Sequence, residues 1–482
     1  MYSSNSSSAL GFTAGSFALL TLFRNMSPCK STACVALAAV ITLIAGVSDA
    51  FVVPSASVLG ASNSNSRAPG SSSSSSLSMG ADGGTTRGDF GKQTIATLLA
   101  GVTAAANFES ANAANKLQVS STASGSRVNK DPISLLQWGL PIDCKPARQL
   151  QEAVEAAKLD LFQKNWSRAV SNCSKAKSAM SGNNKAAILK AVGSSNEAGA
   201  IKLMADIDMG LGALQRIVQD DGAGVVLEKA KLDEAYPVHA AIVSNVGNLE
   251  AMMVPPDYTK KLEANIPGDF DSLPRLLGRA SVEFVMEKPK GEKFDVGGVL
   301  YDKVRLTMVL DGFTAPVTAG TIIDLVQRGY YKNMPITRSD GFVVQTGDPD
   351  PEGNVHDFFP PGSDTARKIP LEIAVTEDKL PMYSVTTEDD GRGYAATKLP
   401  FQAYGALGMA RSEFEADSAS CQFFWLLFDS DLTPAGKNLL DGRYSEFGYT
   451  VDNQELLADV KEGDIIKSAK VISGMENWKQ SA

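Results

Sequence analysis

The residues Ile336-Thr-Arg-Ser-Asp-Gly-Phe-Val-Val-Gln-Thr-Gly-Asp348 set a cation (Arg338), an aromatic ring (Phe342) and an amide (Gln345) within eight positions. Phe342 and Val344 alternate with Val343 and Gln345, the pattern of a short strand with two distinct faces. Further along, Cys421-Gln-Phe-Phe-Trp-Leu-Leu-Phe428 supplies a second amide, Gln422, and a second ring, Phe424. One arginine, two glutamines and two phenylalanines have almost no acid–base capacity. They suit a reaction that needs neither proton transfer nor a nucleophile, such as rotation about the peptide bond preceding a proline. That bond resists rotation because nitrogen donates its lone pair into the carbonyl, a barrier of roughly 18–20 kcal/mol. A guanidinium beside the prolyl carbonyl and nitrogen would favour the twisted state over the planar one, and only such differential binding lowers a barrier. Arginine fits the task because its charge is fixed and its donors form a rigid fork. Phe342 and Phe424 would hold the pyrrolidine ring, and Gln345 would orient Arg338 or the substrate backbone. The bland alternative is a surface arginine beside two core phenylalanines.

Such residues must be carried on paired strands. Residues 280–479 read as a closed antiparallel barrel of about eight strands with helices at its ends. One helix should span 316–329, with Val317, Ile322, Ile323 and Val326 as its buried face and Gly329 as its stop. The region before the barrel is helical. Asp131-Pro-Ile-Ser-Leu-Leu-Gln-Trp-Gly-Leu-Pro141 reads as a short apolar helix between prolines. Pro146 opens a long amphipathic pattern through Leu150, Val154, Ala157, Leu161, Trp166, Val170 and Cys173. Gly182-Asn-Asn184 breaks it, and two further helical stretches follow, 186–217 with breaks at Gly193 and Gly199, and 225–253 before Pro255-Pro256. The fold class expected is α+β multidomain: an all-α up-and-down bundle over 131–265, a linker over 266–279, and the barrel over 280–479.

The first 113 residues look like an address. Residues 1–50 carry Arg24 and Lys30 ahead of a 15-residue apolar run, 33–47, short for a membrane span but right for a signal-peptide core. Residues 51–113 are Ser-rich, with an unbroken serine run from Ser71 to Ser76, and contain a second apolar run, 95–106, before Ala111-Asn112-Ala113. One signal inside another reads as a route into the thylakoid lumen, with cleavage near Ala50 and near Ala113 and a linker over 114–130. The absence of an Arg-Arg pair favours a Sec-type over a twin-arginine route.

Net charge is −9, and the leader carries five basic and four acidic residues, so about −10 remains after processing. That balance disfavours nucleic acid, whose binding rests on cationic contacts. Cys144, Cys173 and Cys421 remain, with no C-x-x-C and only His239 and His356. No zinc site, other metal or cofactor is expected. The thiols read as three separate groups or as a Cys144–Cys173 disulfide with one thiol left over.

The blocks around Arg338 and Gln422 resemble the cyclophilin family of peptidyl-prolyl isomerases, whose motifs are F-H-R-x-x-x-G-F-x-x-Q-G-G-D and G-S-Q-F-F-I. Three further pieces fall in family order: 311–326 matches A-P-x-T-x-x-N-F, Tyr404-Gly-Ala-Leu-Gly-Met-Ala410 matches G-x-L-x-M-A, and Leu440-Asp-Gly-Arg-Tyr-Ser-Glu-Phe-Gly448 matches L-D-G-x-x-x-x-F-G. The resemblance implies Arg338, Phe342 and Gln345 as catalytic residues. It implies Val343, Ala410, Arg411, Gln422, Phe424, Leu439 and Tyr444 as substrate-binding ones. The chain departs from the family at four points: one residue fewer between Arg338 and Phe342, Arg411 for asparagine, Leu439 for tryptophan, and Tyr444 for histidine. An Ala50-Phe51 junction resembles the plastid-entry motif of algae with secondary plastids. Together with Leu140-Pro-Ile-Asp143 and Leu277-Gly-Arg-Ala-Ser-Val282, the order of parts resembles the multidomain cyclophilins of the plant thylakoid lumen. That group implies a bundle like a photosystem II extrinsic subunit and proline-containing clients among photosystem II subunits. It also implies peripheral thylakoid association, and a choice between active isomerase and catalytically weak chaperone. The junction 270–279 reaches no more than roughly 35 Å at ~3.3–3.6 Å per residue. The bundle is therefore expected to regulate the barrel, with the acidic insertion 352–397 as a docking face or pseudo-substrate; the alternative is two domains strung flexibly on one chain.

Overall fold

The computed structural model describes residues 128–219, 225–428 and 438–480. The expected leader segments and both cleavage sites lie outside them. Helix α1 (Pro132–Trp138) begins where Asp131 caps it, accepting the N–H groups of Ile133 and Ser134, with proline at the first helical position. Helices α2 (Lys145–Phe162), α3 (Trp166–Ala179), α4 (Gly182–Val192), α5 (Glu197–Gln219) and α6 (Val225–Ala251) follow. The long pattern from Pro146 to Cys173 is two helices rather than one. Lys164 takes a left-handed conformation (φ 55°), and Asn165 starts α3 by accepting the N–H of Arg168. Gly193 (φ 80°) separates α4 from α5 as expected, while Gly199 stays inside α5.

Helices α2, α3, α5 and α6 pack around a core of small and aliphatic side chains that includes Leu150, Leu161, Cys173, Ile207, Leu214 and Ile242. His239 is buried there with Nε2 2.9 Å from the Val154 carbonyl, and burial pushes its pKa down to about 4. Cys144, Cys173 and Cys421 are buried free thiols, so the disulfide reading is set aside.

The barrel strands are β1 (Arg279–Glu287), β2 (Val304–Asp311), β3 (Met334–Ser339), β4 (Val343–Thr346), β5 (Ala406–Met409), β6 (Phe423–Leu426), β7 (Glu446–Asp452) and β8 (Ile465–Ser473). They close in the order β5-β6-β4-β3-β8-β1-β2-β7, each pair antiparallel. The expected eight-stranded barrel is present. Its interior is aromatic: Phe423 lies 4.7 Å from Trp425, 5.8 Å from Phe284 and 6.1 Å from Phe447, centroid to centroid.

Helix α7 (Tyr258–Ala264) precedes the barrel and α8 (Pro316–Gln327) lies across one end, with Gly329 (φ 69°) just beyond. Rather than one buried face, α8 has every residue from Pro316 to Val326 buried. The reason is a second layer: a Cβ added at Gly320 would fall 2.3 Å from Arg275 Cα, in the strand Arg275–Leu276 that pairs with Trp478–Lys479. The Glu372 carboxylate accepts the N–H groups of Val317 and Thr318 at the start of α8. The stretch read as a linker, 266–279, thus packs on the barrel domain: Arg275–Leu276 forms a two-stranded sheet with Trp478–Lys479 beside α8, and Arg279 begins β1. Just before this stretch, Asn265 donates to the Pro381 carbonyl at 2.8 Å.

Helix α1 joins the two regions. Arg148 of α2 donates to the carbonyls of Gln137 (2.9 Å) and Leu140 (3.0 Å), and Gln137 donates to the Val243 carbonyl of α6. On its other side Leu135 and Leu136 are buried against the barrel, and Arg279 donates to the Leu136 carbonyl.

Candidate functional site

The site forms on the outer face of β3, β4 and β6, and the strand period places it there. In β4, Val344 and Thr346 point into the barrel, which leaves Val343 and Gln345 outside. Register pairs Gln345 with Phe424 and Val343 with Leu426 across β4 and β6, and Arg338 with Gln345 across β3 and β4. Phe424 therefore faces outward while its neighbours Phe423 and Trp425 fill the core. Its ring lies over Gly408 of β5, where a Cβ would meet Phe424 Cζ at 2.2 Å. Only glycine leaves room for the ring.

The two amides are joined: Gln345 Nε2 donates to Gln422 Oε1 at 3.0 Å, and Gln422 Nε2 donates to the His356 carbonyl at 3.1 Å. The Gln345 amide is therefore oriented before any peptide arrives. Phe342 stands 51% exposed and stacks on Phe428 at 5.9 Å. Arg338 has an exposed side chain whose Nε donates to Asp340 at 2.7 Å. Asp340 is held below the usual carboxylate range. Burial pushes it up, but the donors of Val343, Phe342 and Arg338 outweigh that.

The aromatic half is differently placed. Phe424 is only 5% exposed; Phe401 stacks on it at 6.0 Å and Tyr444 meets it edge-on at 5.9 Å. Arg411 sits over the Tyr444 ring at 5.1 Å, its Nε donating to the Arg443 carbonyl at 2.8 Å. Ala410 donates its N–H to the Gln422 carbonyl and packs at the edge of the same cluster. Leu135 and Leu136 of α1 complete that cluster with Val343, Leu399 and Leu426. Nine of the ten sequence-derived site residues thus share one face. Leu439, 76% exposed, belongs to no apolar cluster among the described residues.

Asp340, Phe401, Phe428, Leu135 and Leu136 escaped the sequence reading. Asp340 was signalled by the shortened Arg338–Phe342 spacing. Phe428 ends the run 421–428 without any mark of its partner, and the other three come from segments outside the site motifs.

Residues 298–476 match the cyclophilin-type peptidyl-prolyl cis-trans isomerase family, and residues 131–254 match the PsbQ-like domain of CYP38-like peptidyl-prolyl cis-trans isomerases. The chloroplastic isomerase CYP38 of Arabidopsis thaliana is 38% identical over 358 residues, covering 72% of this chain and 75% of that protein. The chain belongs to the cyclophilin family. A putative thylakoid lumen peptidyl-prolyl cis-trans isomerase of Synechocystis sp. is also 38% identical, over 72% of this chain and 83% of its own. The chloroplastic CYP37 of Arabidopsis thaliana is 31% identical over 55% of this chain and 53% of that protein. In this cyclophilin the PsbQ-like match coincides with α1 to α6, and the isomerase match with the barrel from 298 on. The compartment, the thylakoid lumen of a plastid, agrees with the relatives named chloroplastic and lumenal.

Proposed function

We propose that this cyclophilin isomerises peptidyl-prolyl bonds of proteins in the thylakoid lumen and so assists folding, with photosystem II subunits as its clients. The observation that carries the reading is the outer face itself. Arg338, Gln345 and Phe424 lie on hydrogen-bonded neighbouring strands, and the Gln345–Gln422 bond fixes the amide on the strand paired with that of Arg338. A prolyl ring held near Phe342 would bring its carbonyl and nitrogen toward Arg338. The cation would then stabilise the twisted imide more than the planar one. No step requires a base or a nucleophile, and the one carboxylate described beside Arg338, Asp340, is engaged by Arg338 and two backbone N–H groups. The client class is supported by the PsbQ-like match of the helical region.

A second reading, a catalytically weak chaperone or scaffold that binds photosystem II segments, is supported by a specific observation. Phe401 and Tyr444 lie against Phe424, and Leu135 and Leu136 cover its neighbours, where an open pocket would serve turnover better. Leu439, Tyr444 and Arg411 in place of the family's residues point the same way. A protease-coupled isomerisation assay on the processed chain separates the two readings. Isomerase function requires Arg338→Ala to lower kcat/KM by about 10²-fold, the scale of losing one electrostatic donor at the transition state. Equal rates for the two proteins would leave only the binding reading.

A further inference from the structure

The turn between β3 and β4 carries a carboxylate that imide rotation does not call for. Asp340 follows Arg338 by two residues, and both of its oxygens are engaged. Oδ1 accepts the backbone N–H groups of Phe342 and Val343, each at 3.0 Å. Oδ2 accepts Arg338 Nε at 2.7 Å and lies 2.5 Å from Nη2. The turn that presents it is pinned as well: Gly341 takes φ 84°, and the Ser339 hydroxyl donates to the Val460 carbonyl at 2.8 Å. An exposed ion pair usually contributes little, because two long side chains must be ordered to make it. Here one partner is already fixed by two backbone donors, so Arg338 alone gives up freedom. Both guanidinium contacts, from Nε and Nη2, converge on Oδ2, so the carboxylate caps one edge of the fork.

We propose that Asp340 is a positioning residue that latches Arg338 in a charge-compensated state, so that a proline-containing peptide must compete with this carboxylate for the guanidinium. The proposal rests on the reading of Arg338 as the group that meets the imide. A carboxylate this close cancels much of the field that would otherwise act on the twisted amide, so the latch lowers both the affinity for the carbonyl oxygen and the gain at the transition state. The shortened loop is what permits it. With one residue fewer between Arg338 and Phe342, the same side chain reaches the guanidinium and the start of β4 together. Asp340 lies below the usual carboxylate range, so the latch stays ionised at neutral pH and is released by a competing ligand.

The test is Asp340→Asn in the full processed chain. This change removes the charge and keeps an oxygen for the Phe342 and Val343 N–H groups. Asp340→Ser, which retains a capping oxygen on a shorter side chain, serves should the first variant not fold. Expected are a rise in kcat/KM for a proline peptide of about tenfold and no such rise when Arg338→Ala is added to Asp340→Asn. Faster exchange of the Arg338 Nε–H resonance with solvent is expected as well. Unchanged Nε–H exchange overturns the latch, and so does a loosened Nε–H with unchanged or slower turnover in a protein that isomerises. If neither form isomerises, peptide binding decides. Tighter binding by Asp340→Asn, abolished by adding Arg338→Ala, upholds the latch while the isomerase reading falls. Equal affinities overturn the latch itself.

Discussion

The two halves of the candidate site are built alike and finished differently. Phe342 and Phe424 both face away from the barrel core, yet Phe342 is half exposed while Phe424 lies among Phe401, Tyr444 and Val343. The strands decide which side chains reach the face. Segments remote in sequence decide how much of each stays available. Leu135 and Leu136 arrive from a helix far earlier in the chain, tied to the bundle by Arg148. A family motif therefore specifies the residue set of a pocket without specifying its accessibility.

The largest expected effect sharpens the contrast between the inner and outer faces of β6. Phe423→Ala should destabilise the fold by about 3–5 kcal/mol, because it empties a ring position in contact with Phe284, Trp425 and Phe447. Chemical denaturation reads this directly; a cost near that of a surface change would mean the barrel interior is not packed as described.

A smaller effect concerns acid. Burial pushes Glu250 of α6 up to about 8, against the pull of Arg148, and pushes Glu372 at the start of α8 up to about 7, against the Thr318 and Val317 donors. A carboxyl group raised in the folded state binds protons that the unfolded chain has released. Its stabilising contribution is complete below the ordinary carboxyl value and is lost as pH rises through the folded one. Tm should therefore fall between about pH 5 and about pH 8, and Glu250→Gln should flatten the upper part of that slope. A Tm that rises over this window would contradict the burial of both groups.

The smallest effect on stability belongs to Phe342→Ala. It should cost less than about 1 kcal/mol, since the ring is half exposed and loses one stacked neighbour, Phe428. Proline-peptide affinity should nevertheless fall several-fold, measured by calorimetry. A variant that loses stability instead of affinity would make Phe342 a core residue and remove the open half of the site.

The barrel was legible because alternation in 343–346 and 421–428 fixes which side chains share a face, and family order supplied the pairing of the two runs; Phe342, which the alternation groups with the inward Val344, precedes β4 and stands half exposed instead. The bundle was legible as helices but not at every boundary. The apolar stripe from Leu150 to Cys173 continues past Lys164, where one left-handed residue and the Asn165 cap end one helix and start the next. The all-round burial of α8 was hidden because its second cover, the strand Arg275–Leu276, lay in a segment that reads as a tether. Asp340 was visible as a residue and invisible as a partner: its role depends on the conformation of a turn, and no periodicity records that. Phe401 follows a proline just beyond the acidic insertion, where the local pattern favours a loop, and only the folded chain places it on Phe424.

The central claim is that the outer face of β3, β4 and β6 receives the prolyl peptide. Titrating the isotopically labelled processed chain with a short Ala-Pro-containing peptide, and following its amide and arginine Nε–H resonances, tests that claim most directly. The account predicts the largest shifts at Arg338, Phe342, Gln345 and Gln422, with the helical core around Leu150 and Ile207 unmoved. Shifts confined to the bundle, or a binding isotherm unaltered by Arg338→Ala and Phe342→Ala together, would contradict it.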